Sequence, residues 1–463
     1  MFFSKRIVLF VLLLLVVVTS VSQNSIATQM PEPPLIVPPD VKTVVWDVGI
    51  SHPFVEKGTA TEQLVNIKLT GRKDIPMLAR APVNLAIVID RSGSMSDKGK
   101  ISYAKKAAKE IINRLQASDR LSIIAYSTEV QVLFPIQPLS NKDAAISAVD
   151  SLYPTNSTNL SGGLIYGISQ LESVSRAGYI NRVILLSDGL ANEGITDIGE
   201  LSRISSIASE KNIQITTMGL GLDYDENLLL CIAQYGAGNY YFIESPNQLA
   251  AIFQKEFGQL STTIAKSPTI TITLEPGVSI EQIYGYSYSS SSDEKIKIKL
   301  GDMFAGQQRD ILIKVNVPTD KIGEKGLLKA DLSYEDLLDN NQKSNISKAL
   351  SYLVTKDKSI VDQNLNEAVL ARGVSVDAAF GLDQAILDYE EGRPGEALLE
   401  LNDSYKRIQV VNKSRYKNEQ TVKQEEELKA MIQDLRAAPP EPESDQGKKM
   451  IKKQKANAYN YQQ

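Results

Sequence analysis

The pattern of apolar and polar positions divides the chain into segments of different character. Residues 41–48 and 63–70 are short, β-branched and partly alternating, which is typical of strands with one buried face. From residue 83 to about 260, short apolar runs alternate with amphipathic helical stretches, a pattern that indicates βαβ units and a largely parallel sheet. The central runs carry few polar residues, as expected for strands that helices cover on both faces. We therefore predict a doubly wound α/β domain over residues 81–260.

The elements of this α/β domain follow from the same pattern. The predicted strands are 83–90, 121–126, 130–134, 182–187, 213–219 and 239–243. The predicted helices are 99–116, 142–152, 161–175, 198–211, 226–235 and 246–260.

Period-two alternation returns after the α/β domain and predicts a β-sandwich region over residues 265–356. Its predicted strands are 269–274, 295–300, 311–317 and 327–334. The early β segment at 41–80 is too short to fold alone. We therefore expect its strands to pair with the later ones, so that the α/β domain is an insertion in a β-sandwich.

The last part of the chain is helical by its pattern. Helices are predicted at 364–389, 395–411 and 419–435 within a helical region at 360–437. Residues 438–463 are rich in Pro, Glu, Lys and Gln, and this composition predicts a disordered tail.

The first 22 residues have the features of an export signal. Lys5 and Arg6 precede an apolar run at 7–18, and small residues follow it. A helix needs about 20 apolar residues to span a bilayer, so we expect a cleaved signal peptide, and membrane association only if the segment stays uncleaved. A Pro-rich linker at 23–40 comes next. The expected location is extracytoplasmic: the periplasm, the cell surface or the medium.

Composition narrows the possible partners and the source. The 463 residues are 43% hydrophobic and 23% charged, so most of the chain is expected to fold, as two or three domains. The formal net charge is -5, which argues against nucleic acid as a partner. Cys231 is the only cysteine, so no intrachain disulfide can form. Export without disulfides favours a bacterial source.

Three polar segments follow or precede elements of the α/β domain at positions where they can meet. Asp90, Ser92 and Ser94 follow the first predicted strand of the domain, and Asp188 directly follows the strand at 182–187. Thr158 lies in a polar loop that leads into a helix. Ligands of open α/β sheets bind beyond the carboxyl ends of the strands, where the strand order reverses. We therefore expect two carboxylates and three hydroxyls to converge there.

An oxygen-rich set of this kind suits a hard divalent cation. Mg²⁺ prefers an octahedron of oxygen ligands, and Ca²⁺ and Mn²⁺ also accept oxygen. If the hydroxyls bind directly and the aspartates act partly through water, the metal keeps electrophilic character. A carboxylate from outside could then fill an open coordination position.

These motifs resemble the von Willebrand factor A (VWA) superfamily, whose metal-ion-dependent adhesion site has a D-x-S-x-S loop, a separate threonine and a separate aspartate. The resemblance covers about residues 83–260. It implies that Asp90, Ser92 and Ser94 form the loop, and that Thr158 and Asp188 complete the metal site. Family members commonly have glycines just before the threonine, where this chain has Asn156-Ser157. Beyond this domain, the chain resembles bacterial exported VWA proteins that are loosely related to calcium-activated chloride channel regulators and inter-alpha-trypsin-inhibitor heavy chains.

The resemblance implies a non-enzymatic protein for adhesion or scaffolding, which binds an acidic side chain of a protein partner through the metal. An alternative is a VWA subunit that assists an ATPase in metal insertion or complex remodelling, a role exercised in the cytoplasm. A hydrolase is a third hypothesis. His52 is the only histidine and lies far from the motifs in the sequence, and Cys231 is expected to be a buried structural thiol.

Overall fold

The structure is a computed structural model that describes residues 42–59, 61–73, 80–155, 157–292, 295–437 and 439–462. The predicted signal peptide at 1–22 and the linker at 23–40 lie outside the described residues. The described residues cluster into one compact unit. Among the described residues, none of the helices combines the length and the apolar character that a bilayer span requires.

The strands of a β-sandwich precede and follow the α/β domain in the sequence. Its early strands are β1 (Val44–Ile50), β2 (Phe54–Glu56) and β3 (Thr61–Gly71). The α/β domain then supplies the strands β4 (Val83–Asp90), β5 (Arg120–Tyr126), β6 (Val130–Pro138), β7 (Ile180–Ser187), β8 (Gln214–Leu220) and β9 (Ala237–Ile243). The late strands are β10 (Thr263–Leu274), β11 (Ser279–Ile283), β12 (Tyr288–Ser292), β13 (Lys295–Lys299), β14 (Met303–Phe304), β15 (Gln308–Val317), β16 (Gly323–Asp336) and β17 (Gln342–Thr355).

Helices belong to the α/β domain and to the C-terminal region. Those of the α/β domain are α1 (Lys100–Arg114), α2 (Lys142–Asp150), α3 (Leu160–Glu172), α4 (Ile198–Glu210), α5 (Glu226–Tyr235) and α6 (Leu249–Ser261). The C-terminal helices are α7 (Lys358–Gln363), α8 (Glu367–Glu390), α9 (Pro394–Asn412), α10 (Glu419–Ala437) and α11 (Asp445–Gln462). Side chains of Asn or Asp accept hydrogen bonds from the first-turn backbone N–H groups of four α/β helices, namely at Asn141, Asn159, Asp197 and Asp225.

The sheet of the α/β domain has the order β6-β5-β4-β7-β8-β9 within the described residues. Only β6 runs antiparallel to its neighbour. Every residue of β4 and β7 is buried, because α1, α2 and α6 cover one face of the sheet and α3, α4 and α5 cover the other. The strand order reverses at β4, which has β5 on one side and β7 on the other.

The early and late β segments pair with each other. β3 runs antiparallel to β15, and β2 runs parallel to β17. The two sheets have the orders β1-β3-β15-β11 and β12-β13-β10-β16-β17-β2 in the described residues, and their inner faces share one hydrophobic core. The predicted fold class, an α/β domain inserted in a β-sandwich with a helical region after it, is confirmed.

The prediction of a disordered tail at 438–463 is wrong, because α11 occupies most of this segment. Met450, Ile451 and Ala458 join the core of the helical region, and Tyr459 packs against the α/β domain. Two lysines of α11 are buried in ion pairs with other elements. The polar composition of this segment suggested disorder. The contacts that order it are made with residues far away in the chain, so the composition does not reveal them.

Candidate functional site

The candidate site lies at the carboxyl ends of β4 and β7. The two strands are parallel neighbours, and Ile89 pairs with Leu186. This register places Asp90, the last residue of β4, beside the end of β7, which Asp188 follows directly. Both aspartates are fully buried.

Asp90 is held by its neighbours on both carboxylate oxygens. Oδ1 accepts a hydrogen bond of 2.8 Å from the backbone N–H of Ser92, and Oδ2 accepts one of 3.0 Å from the Ser187 hydroxyl. Burial and then the negative charge of Asp188 raise the pKa of Asp90 to about 6, although the hydrogen bonds oppose this shift. Asp90 therefore shapes the loop that follows it and adds negative charge beneath it.

The two serine hydroxyls meet Asp188. Ser94 Oγ donates to Asp188 Oδ1 over 2.8 Å, and Ser92 Oγ lies 3.5 Å from the same oxygen. The two hydroxyls are 3.1 Å apart. Ser92 is buried, whereas Ser94 is partly exposed, so the cluster opens toward the surface on the Ser94 side.

Thr158 faces this cluster across Gly189. A Cβ at position 189 would lie 3.3 Å from Ser94 Oγ and 3.7 Å from Thr158 Oγ1, so the glycine leaves space between these hydroxyls. The Thr158 backbone N–H donates to Asn192 Oδ1 over 2.8 Å, which fixes the loop. Asn156, one of the two residues in the position of the family's glycines, lies outside the described residues.

The residues brought together fit a hard cation better than a soft one. The donors are the hydroxyls of Ser92, Ser94 and Thr158 and the carboxylates of Asp90 and Asp188. In the described part of the chain, no group of three or more His, Cys, Asp or Glu side chains could hold a metal ion. A metal at this edge would therefore depend on the hydroxyls.

Sequence reasoning missed Lys100, Ser187 and Asn192. Lys100 Nζ lies 2.7 Å from Asp188 Oδ2, and its side chain is almost fully buried. The order of residues after the D-x-S-x-S loop holds no signal for this contact, because a lysine at the start of an amphipathic helix is usually exposed. Ser187, directly before Asp188, could have been included from its position at the strand end.

The residues outside these motifs lie elsewhere. His52 is in the β-sandwich, where Nδ1 is 2.8 Å from Ser51 Oγ, and burial lowers its pKa. Ser51 is buried, donates to Gln63 and accepts from the N–H of Leu64, so its hydroxyl has structural partners. Cys231 is half-buried on α5, and burial raises the pKa of its thiol.

The fold and the arrangement of the strand ends define a class of domain. Residues 84–255 match the family model described as "von Willebrand factor type A domain". The predicted domain is thus confirmed, and this part of the chain is a VWA domain. VWA domains commonly take part in protein–protein interaction and adhesion.

Several proteins of known sequence are similar to this chain. The uncharacterized protein YfbK of Escherichia coli (strain K12) is 28% identical over 51% of this chain and 42% of its own length. The uncharacterized protein sll0103 of Synechocystis is 25% identical over 56% and 62%. Inter-alpha-trypsin inhibitor heavy chain H1 of Sus scrofa is 27% identical over 44% of this chain and 24% of its own length. The predicted resemblance to these heavy chains is thus confirmed. The chain therefore spans about half the length of the first two relatives.

Two solved structures share the overall fold. A von Willebrand factor type A protein from Catenulispora acidiphila superposes with a TM-score of 0.68 at 18% identity, over 86% of this chain and 91% of that one. The ArnB paralog VWA2 from Sulfolobus acidocaldarius gives a TM-score of 0.62 at 18% identity, over 90% and 98%. The similarity extends beyond the VWA domain, since the coverage of this chain exceeds residues 84–255 in both cases.

Proposed function

We propose that this chain is an exported, non-enzymatic binding protein whose VWA domain holds a divalent cation and, through it, an acidic side chain of a protein partner. The observation that carries the proposal is the convergence of the Ser92 and Ser94 hydroxyls on Asp188, with Thr158 facing them across Gly189. Mg²⁺ is the first choice of ion, and Ca²⁺ or Mn²⁺ would also suit these ligands. When bound, the ion supplies a positive centre for a carboxylate.

The surface around the site supports a protein partner. Leu190, next to Gly189, and Tyr153 are both more than half exposed. The Arg91 guanidinium lies 5.6 Å from the centre of the Tyr153 ring. Arginine and tyrosine are enriched among the residues that dominate binding energy at interfaces, and an exposed leucine adds apolar area.

The experiment is a pull-down with the full chain from the extracytoplasmic fraction of its source cells, in millimolar Mg²⁺ or in chelator. We expect a partner that is retained in Mg²⁺ and released by chelator. Retention should be lost in variants that remove the main ligands, namely Asp90→Ala, Ser92→Ala, Ser94→Ala and Asp188→Ala, and weakened in Thr158→Ala. Asp97→Ala is the matched control, because Asp97 is an exposed carboxylate in the same loop. A partner that binds equally well in chelator would contradict the metal-bridged mechanism.

Export is part of the proposal and has its own test. Mass spectrometry of the N-terminus of the native protein should find a chain that begins near Gln23. A chain that retains residues 1–22 in a membrane fraction, or that occurs in the cytosol, would contradict cleavage and export. The cytosolic result would favour the ATPase-assisting alternative.

A further inference from the structure

Lys100 reaches the candidate metal site from the start of α1. Its ammonium lies 2.7 Å from Asp188 Oδ2, and the exposed fractions of the two side chains are 7% and 0%. The lysine passes the turn after β8, where a Cβ at Gly221 would be 3.6 Å from both Lys100 Cε and Nζ. Gly221 has a φ of +82°, which favours glycine, so the backbone stays close to the lysine without a side chain between them.

The position of Lys100 is unfavourable for the helix itself. A positive charge in the first turn opposes the helix dipole, which favours acidic residues there. Burial also removes water from the ammonium. Within the described part of the chain, Lys100 is the only basic residue that forms an ion pair with Asp90 or Asp188. The Asp188 carboxylate therefore offsets the cost of burying the Lys100 ammonium.

The carboxylate of Asp188 is divided between two neighbours. Oδ1 accepts from the Ser94 hydroxyl, on the side where the hydroxyls converge, and Oδ2 accepts from Lys100. The Ser94 hydroxyl and the Lys100 ammonium thus donate to the two oxygens of one carboxylate. Asp90 and Asp188 together with Lys100 leave one net negative charge at this edge of the sheet when both carboxyls are ionised.

We propose that Lys100 is the resident counter-cation of Asp188, which weakens the binding of a divalent ion and strengthens the binding of an acidic ligand to the metal-loaded site. The inference rests on the proposed function for the identity of the ion. A divalent ion turns the net charge of the site from one negative to one positive, and a carboxylate ligand then neutralises it. Without Lys100, the metal alone would neutralise the two aspartates, and the same ligand would add an unbalanced negative charge.

The test compares Mn²⁺ affinity in the full chain and three variants, by electron paramagnetic resonance of the free ion. Lys100→Met removes the ammonium, and Lys100→Arg keeps the positive charge. Lys106→Met is the matched control, since Lys106 is exposed on the same helix. We expect Lys100→Met to bind Mn²⁺ about tenfold more tightly or better, because a like charge is removed from a buried site. The other two variants should stay within about threefold of the unmodified chain.

Each result has a definite reading. If the unmodified chain binds Mn²⁺ and Lys100→Met binds no more tightly, the inference is overturned and the proposed function stands. If only Lys100→Met binds the ion, the inference stands and the metal-dependent function of the native chain falls. If neither binds, both fall. Should Lys100→Met fail to fold by circular dichroism, Lys100→Gln replaces it and the same readings apply.

The effect on an acidic ligand is measured with acetate as the probe. Bound Mn²⁺ accelerates the relaxation of the acetate methyl protons, which reports acetate at the metal. We expect acetate to bind about threefold more weakly or worse to Mn²⁺-loaded Lys100→Met than to the loaded unmodified chain and to Lys100→Arg. Equal or tighter acetate binding in Lys100→Met would overturn this half of the inference.

Discussion

Two clusters of buried charge follow the carboxyl ends of strands in the same sheet, and they differ in balance. At the ends of β4 and β7, two buried aspartates lie among hydroxyls, and only Asp188 forms an ion pair, with Lys100. Beyond the end of β8, Glu226 and Glu390 form ion pairs with Lys452 and Lys455 of α11, so each of these two buried ammonium groups has a carboxylate partner.

The pairing of charges distinguishes the cluster suited to a ligand from the other one. The second cluster joins three elements, the N-terminus of α5, the end of α8 and the middle of α11, and each ammonium in it contacts a carboxylate within 3.1 Å or less. Because its charges are paired, this cluster gains little from binding a further ion. Its ion pairs hold the helical region against the VWA domain, and we call the cluster the clamp. The first cluster has a surplus of negative charge and partly exposed oxygen atoms, which a cation can use.

The largest expected effect is the loss of metal binding in Asp188→Asn. Mn²⁺ affinity should fall at least about a hundredfold, because a carboxylate at the centre of the hydroxyl cluster is lost. At a hundred times its dissociation constant, the ion should stabilise the unmodified chain by about 2.7 kcal/mol. Calorimetric melting in Mn²⁺ and in chelator measures this gain, which should fall to about 0.4 kcal/mol or less in Asp188→Asn at the same Mn²⁺ concentration and persist in Glu226→Gln. A gain that survives undiminished in Asp188→Asn would place the ion elsewhere.

An effect of similar size is expected for the release of α11 in Glu226→Ala. The Lys452 ammonium, whose side chain is 4% exposed, would lose its carboxylate and keep the backbone oxygen of Tyr224 and the Tyr224 ring. Leaving such a charge without its partner costs about 3 kcal/mol. Hydrogen exchange should show faster amide exchange in residues 445–462.

A matched control for this release exists on the same helix. Lys449 pairs with Glu244 over 2.6 Å, but both side chains are nearly half exposed. Glu244→Ala should therefore change the free energy of opening of α11, as hydrogen exchange measures it, by less than about 1 kcal/mol. Equal effects of the two substitutions would mean that the buried cluster is no clamp.

A smaller effect is expected for Thr158→Val. The substitution keeps the shape of the side chain and removes the hydroxyl that faces Ser94 across Gly189. Mn²⁺ should bind about tenfold more weakly, a change of about 1.4 kcal/mol. Thr155→Val, in the same loop, should leave the affinity unchanged. If Thr158→Val also leaves it unchanged, the threonine is no ligand.

The smallest effect near neutral pH concerns the titration of the clamp. Burial alone would raise the pKa of Glu226, but the charges of Lys452 and Lys455 outweigh burial and hold this pKa below its ordinary value of 4.5. A depressed carboxyl pKa stabilises the fold above about pH 4.5, and this contribution is lost as the pH falls through the folded-state pKa. Glu390 acts in the opposite direction, because burial holds its pKa above its ordinary value despite Lys455.

Hydrogen exchange between pH 7 and pH 4 tests this titration. After correction for the intrinsic pH dependence of exchange, protection of α11 should not decline above pH 4.5, where protonation of Glu390 increases it, and should decline below pH 4.5 as Glu226 is protonated. Glu226→Gln should show a weaker decline, because its side chain does not titrate. A decline that begins near pH 6 in the unmodified chain would point to another group.

Much of the fold and part of the candidate site follow from local pattern. Eight-residue strands such as β4 and β7 are largely apolar, and parallel βαβ connections bring their carboxyl ends to one edge. These two facts predict that Asp90 and Asp188 lie at the same edge of the sheet. The D-x-S-x-S spacing places Ser92 and Ser94 at the same edge, because they lie within four residues of the end of β4. Alternation such as Lys295–Lys299 likewise identifies strands with one wet face.

Which distant side chains meet depends on how the separate elements pack. Lys100 and Asp188 are 88 residues apart, and nothing in the pattern of α1 distinguishes this lysine from an exposed one. The polar composition of α11 predicts disorder, yet the helix is ordered by contacts with α5, α8 and the VWA sheet. Local patterns report whether a position is buried or exposed within its own element. The partner of a buried charge depends on how separate elements pack, and this packing determines both the clamp and the charge of the site.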